Sequence, residues 1–336
     1  MEGKEMGIFT IMLILWWAAG NCLTFDSSVA KDGSGKYQTI AEALKAAPIN
    51  SSKPYFIHIK RGVYYENITI SSDKTNIGLV GDGIGVTIIT ARKGGKRFPT
   101  PYTATLEVYG SGFIGMWMTI RNTIGAKGGQ SVALTTAPYR GFASYYRCRF
   151  EGYQDTILAL AYAFFRECDI LGAIDFISGS GRAIFQNSAI IARKPIYGQL
   201  IRILALGADN LTSNPGIVLQ NCNISPVLDF NKTKVTSFLG WPWKNYGRGV
   251  IMSSYISDFI DPQGYLWNPK VKSIYLAEYN NRGPGSNTKG RVKWSKVIDR
   301  KEASKYTVRN FLQGDKWIPK IIPHYLDHLD DPEYSV

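Results

Sequence analysis

Short runs of Val, Ile, Phe and Tyr, broken by Gly, Asn and Asp, fill most of the chain. Runs of this kind are typical of β-strands. Helical patterns occur at only two places. Thr39 and Glu42 form a capping box that predicts a short amphipathic helix ending before Pro48. A second helix is predicted from Glu302 to Leu312. The pattern therefore predicts an all-β protein with two short helical stretches.

The strand-like runs repeat along the chain. A repeat near 20 residues without helices predicts a β-solenoid, in which each coil buries its apolar positions against the next. We expect the N-terminal helix to cap the open end of the solenoid and the C-terminal segment to pack along its side. A β-sandwich with accidental spacing is the alternative. Positions that share the interval of 20 residues are Cys148, Cys168 and Ser188 in one series and Phe150, Ile170 and Ile190 in another.

Two aspartates follow the same interval. Asp155 and Asp175 are 20 residues apart, so a solenoid would place them on adjacent coils, roughly 5 Å apart. Two carboxyl groups this close do not ionise independently, and the pKa of one rises. The result is a protonated acid beside an ionised nucleophile. A pair of solvated loop aspartates is the alternative, but apolar and aromatic residues flank both positions.

Charge and the N-terminus narrow the class of partner. The chain has 39 Lys plus Arg against 26 Asp plus Glu, a formal charge of +13. This favours nucleic acid, anionic lipid or an acidic polysaccharide as the partner.

The N-terminus predicts a secretory signal peptide at 1–22: Lys4 is followed by an apolar run over residues 8–17 and a small-residue cleavage site at 18–20. An uncleaved anchor is the alternative. The remaining residues, 23–336, are expected to form a single domain.

Glycosylation motifs agree with export. An exported basic protein meets polysaccharide and lipid before nucleic acid, so we expect no nucleic-acid partner. The predicted protein is a secreted glycoprotein. Its N-x-S/T motifs begin at Asn50, Asn67, Asn210, Asn223 and Asn231.

The inventory of reactive side chains is short. The four cysteines form no C-x-x-C pair, and none of the three histidines has a plausible partner motif. A metal site or a Ser-His-Asp triad is therefore not expected. Cys22 lies beside the predicted cleavage site, which leaves three cysteines and at least one free thiol.

Several ordered motifs resemble the plant pectin methylesterases, from about Val29 to the end of the chain. The resemblance implies a right-handed parallel β-helix without the inhibitor-like pro-region that many members carry. We expect a monomer that needs no cofactor and no metal ion. The motifs are GVYYEN (62–67), GDGIG (81–85), QSVAL (130–134), FEGYQDT (150–156), FFRECDI (164–170), DFISG (175–179), ARKP (192–195), GWPWK (240–244) and NRGPG (281–285).

The resemblance also implies a reaction: hydrolysis of the methyl esters of cell-wall homogalacturonan to pectate and methanol. Asp175 in DFISG would be the nucleophile, and Asp155 in GYQDT the acid and base. Gln154 and Gln130 would form the oxyanion hole. A proteinaceous pectinesterase inhibitor is a further partner that the resemblance allows. Substrate-binding residues implied by the motifs are Thr100, Gln130 and Trp243.

One departure from the family motif bears on activity. Trp241 stands where the family has an arginine that hydrogen-bonds the nucleophile. We therefore expect Asp175 to lack a cationic partner and to have a raised pKa. Lys244 or Arg248 could take the place of the missing arginine. An alternative function follows, that of a catalytically impaired pectin-binding protein.

Other departures lie nearby. Leu206 and Ala208 replace a glutamine and an arginine of the family pattern, and Ser178 replaces an aromatic residue. Ser188 replaces the family partner of Cys168, so that disulfide is not expected. A polygalacturonase or pectate lyase is the third possibility, but such enzymes need a third carboxylate or a calcium site around the pair, and no Asp-Asp dipeptide lies near Asp155 or Asp175.

Overall fold

The computed structural model describes residues 23–209 and 214–329. The predicted signal peptide (1–22), Cys22 and Asn210 lie outside this part of the chain. No helix within it is long and apolar enough to cross a membrane.

Three parallel sheets form the body of the molecule, and the chain visits each of them in turn. Sheet 1 consists, in spatial order, of β1 (Ser27–Val29), β2 (Tyr55–Ile59), β5 (Ile77–Gly81), β8 (Phe113–Met116), β11 (Phe142–Tyr146), β14 (Tyr162–Arg166), β17 (Arg182–Gln186), β20 (Gly216–Gln220), β23 (Gly247–Met252), β25 (Ile274–Tyr279) and β26 (Lys296–Val297).

Sheets 2 and 3 complete each coil. Sheet 2 consists of β24 (Tyr255–Ile256), β21 (Asn223–Pro226), β18 (Ala189–Ala192), β15 (Asp169–Gly172), β12 (Arg149–Glu151), β9 (Thr119–Asn122), β6 (Thr87–Ala91) and β3 (Gly62–Tyr65). Sheet 3 consists of β22 (Ser237–Pro242), β19 (Ile201–Leu206), β16 (Ile174–Gly179), β13 (Ile157–Ala159), β10 (Leu134–Thr136), β7 (Leu106–Val108) and β4 (Ile68–Ile70).

The strand register confirms the predicted repeat. Phe150 pairs with Ile170, and Ile170 pairs with Ile190. Beyond a longer loop, Ile190 pairs with Ile224 in the same column. All strand pairs in the described residues are parallel, whereas β-sandwiches are built from antiparallel sheets. The fold is therefore a right-handed parallel β-helix, and the sandwich alternative is wrong.

Stacked aromatic rings fill the interior. The ring of Phe165 lies 4.7 Å from that of Tyr145 and 4.3 Å from that of Phe185, with interplanar angles of 13° and 5°. All three side chains are fully buried. The repeat produces this column, because residues in register on parallel strands lie one strand spacing apart.

The cysteine column is also buried. Cys148, Cys168 and Cys222 are free thiols. At the position where the resemblance places a disulfide partner, the hydroxyl of Ser188 instead accepts a hydrogen bond from the Cys168 amide at 3.2 Å. This agrees with the expectation that the bridge is absent.

The N-terminal helix α1 (Ile40–Ala46) begins with the predicted capping box. The Thr39 hydroxyl accepts from the Glu42 amide, and the Glu42 carboxylate accepts from the Thr39 amide, both at 3.2 Å. Ile40 and Leu44 join the interior cluster at this end of the coils.

The C-terminal helical stretch is shorter and more broken than predicted. It comprises α2 (Arg300–Ala303), a 3-10 turn and α3 (Val308–Leu312), which Thr307 caps. Its apolar residues pack on the outer face of sheet 1, as expected. The 3-10 helices are Gly95–Arg97, Thr100–Thr103, Pro284–Ser286, Thr288–Gly290, Ser304–Tyr306 and Gly314–Lys316.

Removing a ring from the aromatic column tests this packing. Phe165→Ala should lower the free energy of unfolding by about 3–5 kcal/mol, because the cavity cannot collapse between two stacked neighbours. Urea denaturation measures the loss. Tyr197→Ala, at a fully exposed aromatic side chain, is the control and should stay within about 0.5 kcal/mol of the wild type. Equal effects of the two substitutions would contradict the stacked core.

Candidate active site

Asp155 and Asp175 lie side by side on adjacent coils of sheet 3. Gln154 is bridged to Ile174 just before the two aspartates, and Ile157 pairs with Ile177 just after them. The Asp155 amide donates to the Ile174 carbonyl at 3.0 Å. The interval of 20 residues is thus kept through the site, and the predicted juxtaposition is confirmed.

Local backbone distortion marks both aspartates. Asp155 and Asp175 have φ values of 59° and 52°, in the left-handed region that few non-glycine residues other than Asn and Asp adopt. The pairing of β16 with β19 also shifts register between Ile174 and Ile177. An extra residue of this kind re-aims side chains and is common beside active sites.

A cavity of about 530 Å³ opens at this point of sheet 3. Gln154 is absent from its wall but lies in the same ladder, bridged to Gln130 on one side and to Ile174 on the other. Five of the six predicted site residues line the cavity: Thr100, Gln130, Asp155, Asp175 and Trp243.

The environment of Asp155 favours its neutral form. The residue is 6% exposed, and its Oδ2 atom has no hydrogen-bond partner among the described residues. Burial is the main cause that raises the pKa of Asp155, and the negative charge of Asp175 is the second; the resulting pKa is about 7. Gln130 and Arg202 lower the pKa, but by less. Asp155 is therefore a protonated carboxylic acid below neutral pH.

Two neighbouring side chains donate hydrogen bonds to the Asp175 carboxylate. Arg202 donates from Nε to Oδ1 at 2.6 Å and from Nη2 to Oδ2 at 2.9 Å. The indole N–H of Trp241 donates to the same Oδ1 at 2.7 Å. The expectation that Asp175 lacks a cationic partner is therefore wrong.

The 20-residue repeat does not lead to Arg202. Arg202 pairs with Ile174 across the β16–β19 ladder, but 28 residues separate them because a loop intervenes. Counting in steps of 20 could not find it. The available signal was a single arginine inside the otherwise apolar strand IRILAL.

The two cations proposed as substitutes lie elsewhere. Lys244 forms an ion pair with Asp209 at 2.8 Å, on the wall of the cavity. Arg248 bonds the side chain of Asn214 and lies near aromatic rings of the outer face of sheet 1. Neither contacts Asp175 in the described structure.

The chemistry that this arrangement allows is acid–base and nucleophilic. A held carboxylate faces a neutral carboxylic acid, the two states that acyl transfer needs in one site. No group of three or more His, Cys, Asp or Glu in the described residues is placed to hold a metal ion.

The raised pKa of Asp155 predicts a stability that falls with pH. The native state keeps a proton that the unfolded chain has already released, so the free energy of unfolding falls as pH rises from about 4 to about 7. Between pH 5 and 8 the loss from this group should be about 3 kcal/mol. Asp155→Asn should remove that part of the slope. Urea denaturation at both pH values measures it, and an unchanged slope in the variant would contradict the assignment.

Comparisons with known proteins identify the family of the chain. A family model described as Pectinesterase matches residues 26–315. The chain is 45% identical over 298 residues to putative pectinesterase/pectinesterase inhibitor 22 of Arabidopsis thaliana, covering 87% of this chain and 53% of that protein. The chain thus spans about half the length of the curated relatives it matches.

Solved structures match over nearly their full length. The pectin methylesterase from carrot superimposes with a TM-score of 0.88 at 37% identity, covering 92% of this chain and 99% of the carrot chain. A pectin methylesterase in complex with a hexasaccharide superimposes with a TM-score of 0.73 at 26% identity, covering 87% and 98% of the two chains. On the family match, the sequence identity and the shared fold together, this chain belongs to the pectinesterase family.

Proposed function

We propose that the protein is a pectin methylesterase that hydrolyses methyl esters of cell-wall homogalacturonan to pectate and methanol. The observation that carries the proposal is the division between two adjacent carboxyl groups. Asp175 is held by a guanidinium and an indole N–H. Asp155 is buried beside it, with a pKa of about 7.

In the first half-reaction, the Asp175 carboxylate attacks the ester carbonyl carbon. Collapse of the tetrahedral intermediate breaks the bond to the methoxy oxygen, which takes the proton of Asp155 and leaves as methanol. Asp155 suits this step because it lines the cavity beside Asp175. The product is an anhydride between Asp175 and the sugar carboxyl group.

In the second half-reaction, Asp155 is ionised and acts as a base. It takes a proton from water, and the oxygen attacks the acyl carbon of the anhydride. The Asp175 carboxylate leaves, which restores both aspartates to their starting states. Gln130 and Gln154 are proposed to donate to the oxyanion in each half-reaction, and one such donor is typically worth roughly 2.7–4 kcal/mol.

The surroundings of the cavity suit an acidic polysaccharide. Trp243 is 46% exposed at the cavity wall and offers an aromatic face on which a sugar ring can stack. Lys244 lies over that ring, with Nζ 4.7 Å from its centroid. Thr100 lines the same cavity, where it is proposed to supply a polar contact to the substrate. The charge of +13 favours a polymer whose carboxylates increase as the reaction proceeds.

Export to the cell wall is part of the proposal. The predicted signal peptide supports it. We also propose that residues 23–336 form a single domain and that the protein acts as a monomer. Glycosylation is proposed at the exposed side chains of Asn50, Asn67, Asn223 and Asn231. Binding of a proteinaceous pectinesterase inhibitor is proposed as well; several relatives carry both names, pectinesterase and pectinesterase inhibitor.

Methanol release from highly methylated pectin tests the proposed activity. The wild type should release methanol, and Asp175→Asn should reduce the rate to background because the amide is not a nucleophile. Asp155→Asn should lower the rate by roughly 10²–10⁴ through loss of the acid. Asp169→Asn is the control, since Asp169 pairs with Arg149 on sheet 2, outside the cavity.

A folded wild type that binds pectin but releases no methanol would contradict the proposal. The protein would then be the pectin-binding alternative. Full activity in Asp175→Asn would exclude Asp175 as the nucleophile.

The pH dependence of the first half-reaction follows from the same pKa. Methanol departure needs the protonated form of Asp155, whose fraction falls as pH rises through about 7. The value of kcat/KM should therefore fall about tenfold per pH unit above that point. Initial rates from pH 6 to 9 measure the fall, and a flat profile through pH 9 would argue against Asp155 as the acid.

A further inference from the structure

Resting on the proposed function, we infer that Arg202 is a positioning residue for the reaction: it holds Asp175 ionised and aimed, and Trp241 supports it from β22. The charge that the family resemblance leads one to expect at position 241 is thus delivered from the neighbouring strand β19. The departures at positions 178 and 241 belong to the same arrangement.

The contact between Arg202 and Asp175 has the geometry of a fork. Two guanidinium nitrogens meet the two carboxylate oxygens at 2.6 and 2.9 Å. Paired bonds of this kind fix the plane of the carboxylate as well as its charge. The side chains of Arg202 and Asp175 are only 21% and 12% exposed, so solvent screens the pair weakly. A lysine at 202 would supply charge without this orientation.

Trp241 binds both members of the pair. Its indole N–H donates to Asp175 Oδ1 at 2.7 Å. Its ring lies under the guanidinium of Arg202, whose Cζ is 4.5 Å from the ring centroid. A cation held over an indole face is attracted by the ring quadrupole. The tryptophan therefore restricts the arginine and also supplies a third donor to the nucleophile.

Two small residues follow Trp241 across the strands toward Asp175. In the ladder of sheet 3, Trp241 pairs with Ala205, and Ala205 pairs with Ser178. All three line the cavity. An indole on β22 can extend over a methyl group and a hydroxyl toward β16. An aromatic side chain at 178, which the family pattern has, would compete for this space.

The charged groups on the cavity wall do not replace Arg202. Asp155, Asp209 and Lys244 line the cavity with Asp175. Lys244 forms its ion pair with Asp209. Among the described residues, the cation in contact with Asp175 is Arg202.

Kinetics of Arg202 variants test the inference. In Arg202→Gln, kcat should fall roughly a hundredfold while KM changes little, because the nucleophile loses its aim. The acidic limb of the pH–rate profile should move up by about one to three pH units, because a carboxylate that loses a cationic neighbour is harder to ionise. Arg202→Lys should keep the limb near its wild-type position with a reduced kcat.

Two further variants separate the contribution of Trp241 from that of Arg202 and provide a control. Trp241→Phe keeps a ring under the guanidinium but removes the N–H donor, and it should lower kcat less than Arg202→Gln does. Arg149→Gln is the matched control: Arg149 also contacts an aspartate on the next coil, Asp169, through two nitrogens, but on sheet 2. It should leave kcat and the pH profile unchanged. Circular dichroism and thermal unfolding show that each variant is folded.

The titration of Asp175 can be followed without turnover. Carbon NMR of 13C-labelled aspartate in Arg202→Gln should show the Asp175 midpoint moved upward, with the signal assigned by its loss in Asp175→Asn. If the wild type releases no methanol, the proposed function fails while this measurement still decides the role of Arg202. An unchanged Asp175 midpoint, or an active Arg202→Gln enzyme with the wild-type pH profile, would overturn the inference.

Discussion

Two carboxyl groups one coil apart cannot both carry a full charge in a buried cavity at low cost. The β-helix brings Asp155 and Asp175 to this spacing, and the rest of the site resolves the conflict. Arg202 and Trp241 contribute three hydrogen bonds to Asp175. Asp155 is instead buried, and its Oδ2 atom has no hydrogen-bond partner among the described residues. It therefore keeps its proton up to about neutral pH. In the proposed mechanism, one aspartate is the nucleophile and the other the acid because their surroundings differ.

The β-helix holds the two aspartates in fixed positions relative to each other. Stacked coils fix neighbouring strands at about 4.8 Å, and the buried rings of Tyr145, Phe165 and Phe185 stack inside those coils. The two aspartates themselves adopt left-handed backbone conformations, and β16 carries one extra residue between Ile174 and Ile177 in its pairing with β19. These departures from regular strand geometry therefore lie where the chemistry is proposed.

The sequence predicted much of this arrangement, because a constant interval translates directly into strand register. Phe150, Ile170 and Ile190 identified the coils, and the same interval placed Asp155 beside Asp175. The capping box at Thr39 was equally direct, since it depends on residues three apart. Arg202 escaped because a loop of variable length precedes β19, so no fixed interval connects it to Asp175. The broken C-terminal helix escaped for another reason: its amphipathic pattern continues through Thr307, whose capping hydroxyl starts a new helix.

Infrared spectroscopy of the carboxyl groups tests the central claim most directly. At pH 5.5 the wild type should show a protonated-carboxyl band that disappears with a midpoint near pH 7, that is missing in Asp155→Asn and that remains in Asp175→Asn. A band that is lost in Asp175→Asn but kept in Asp155→Asn would reverse the two roles. The absence of any such band above pH 5 would mean that both aspartates are ionised, and would contradict the account.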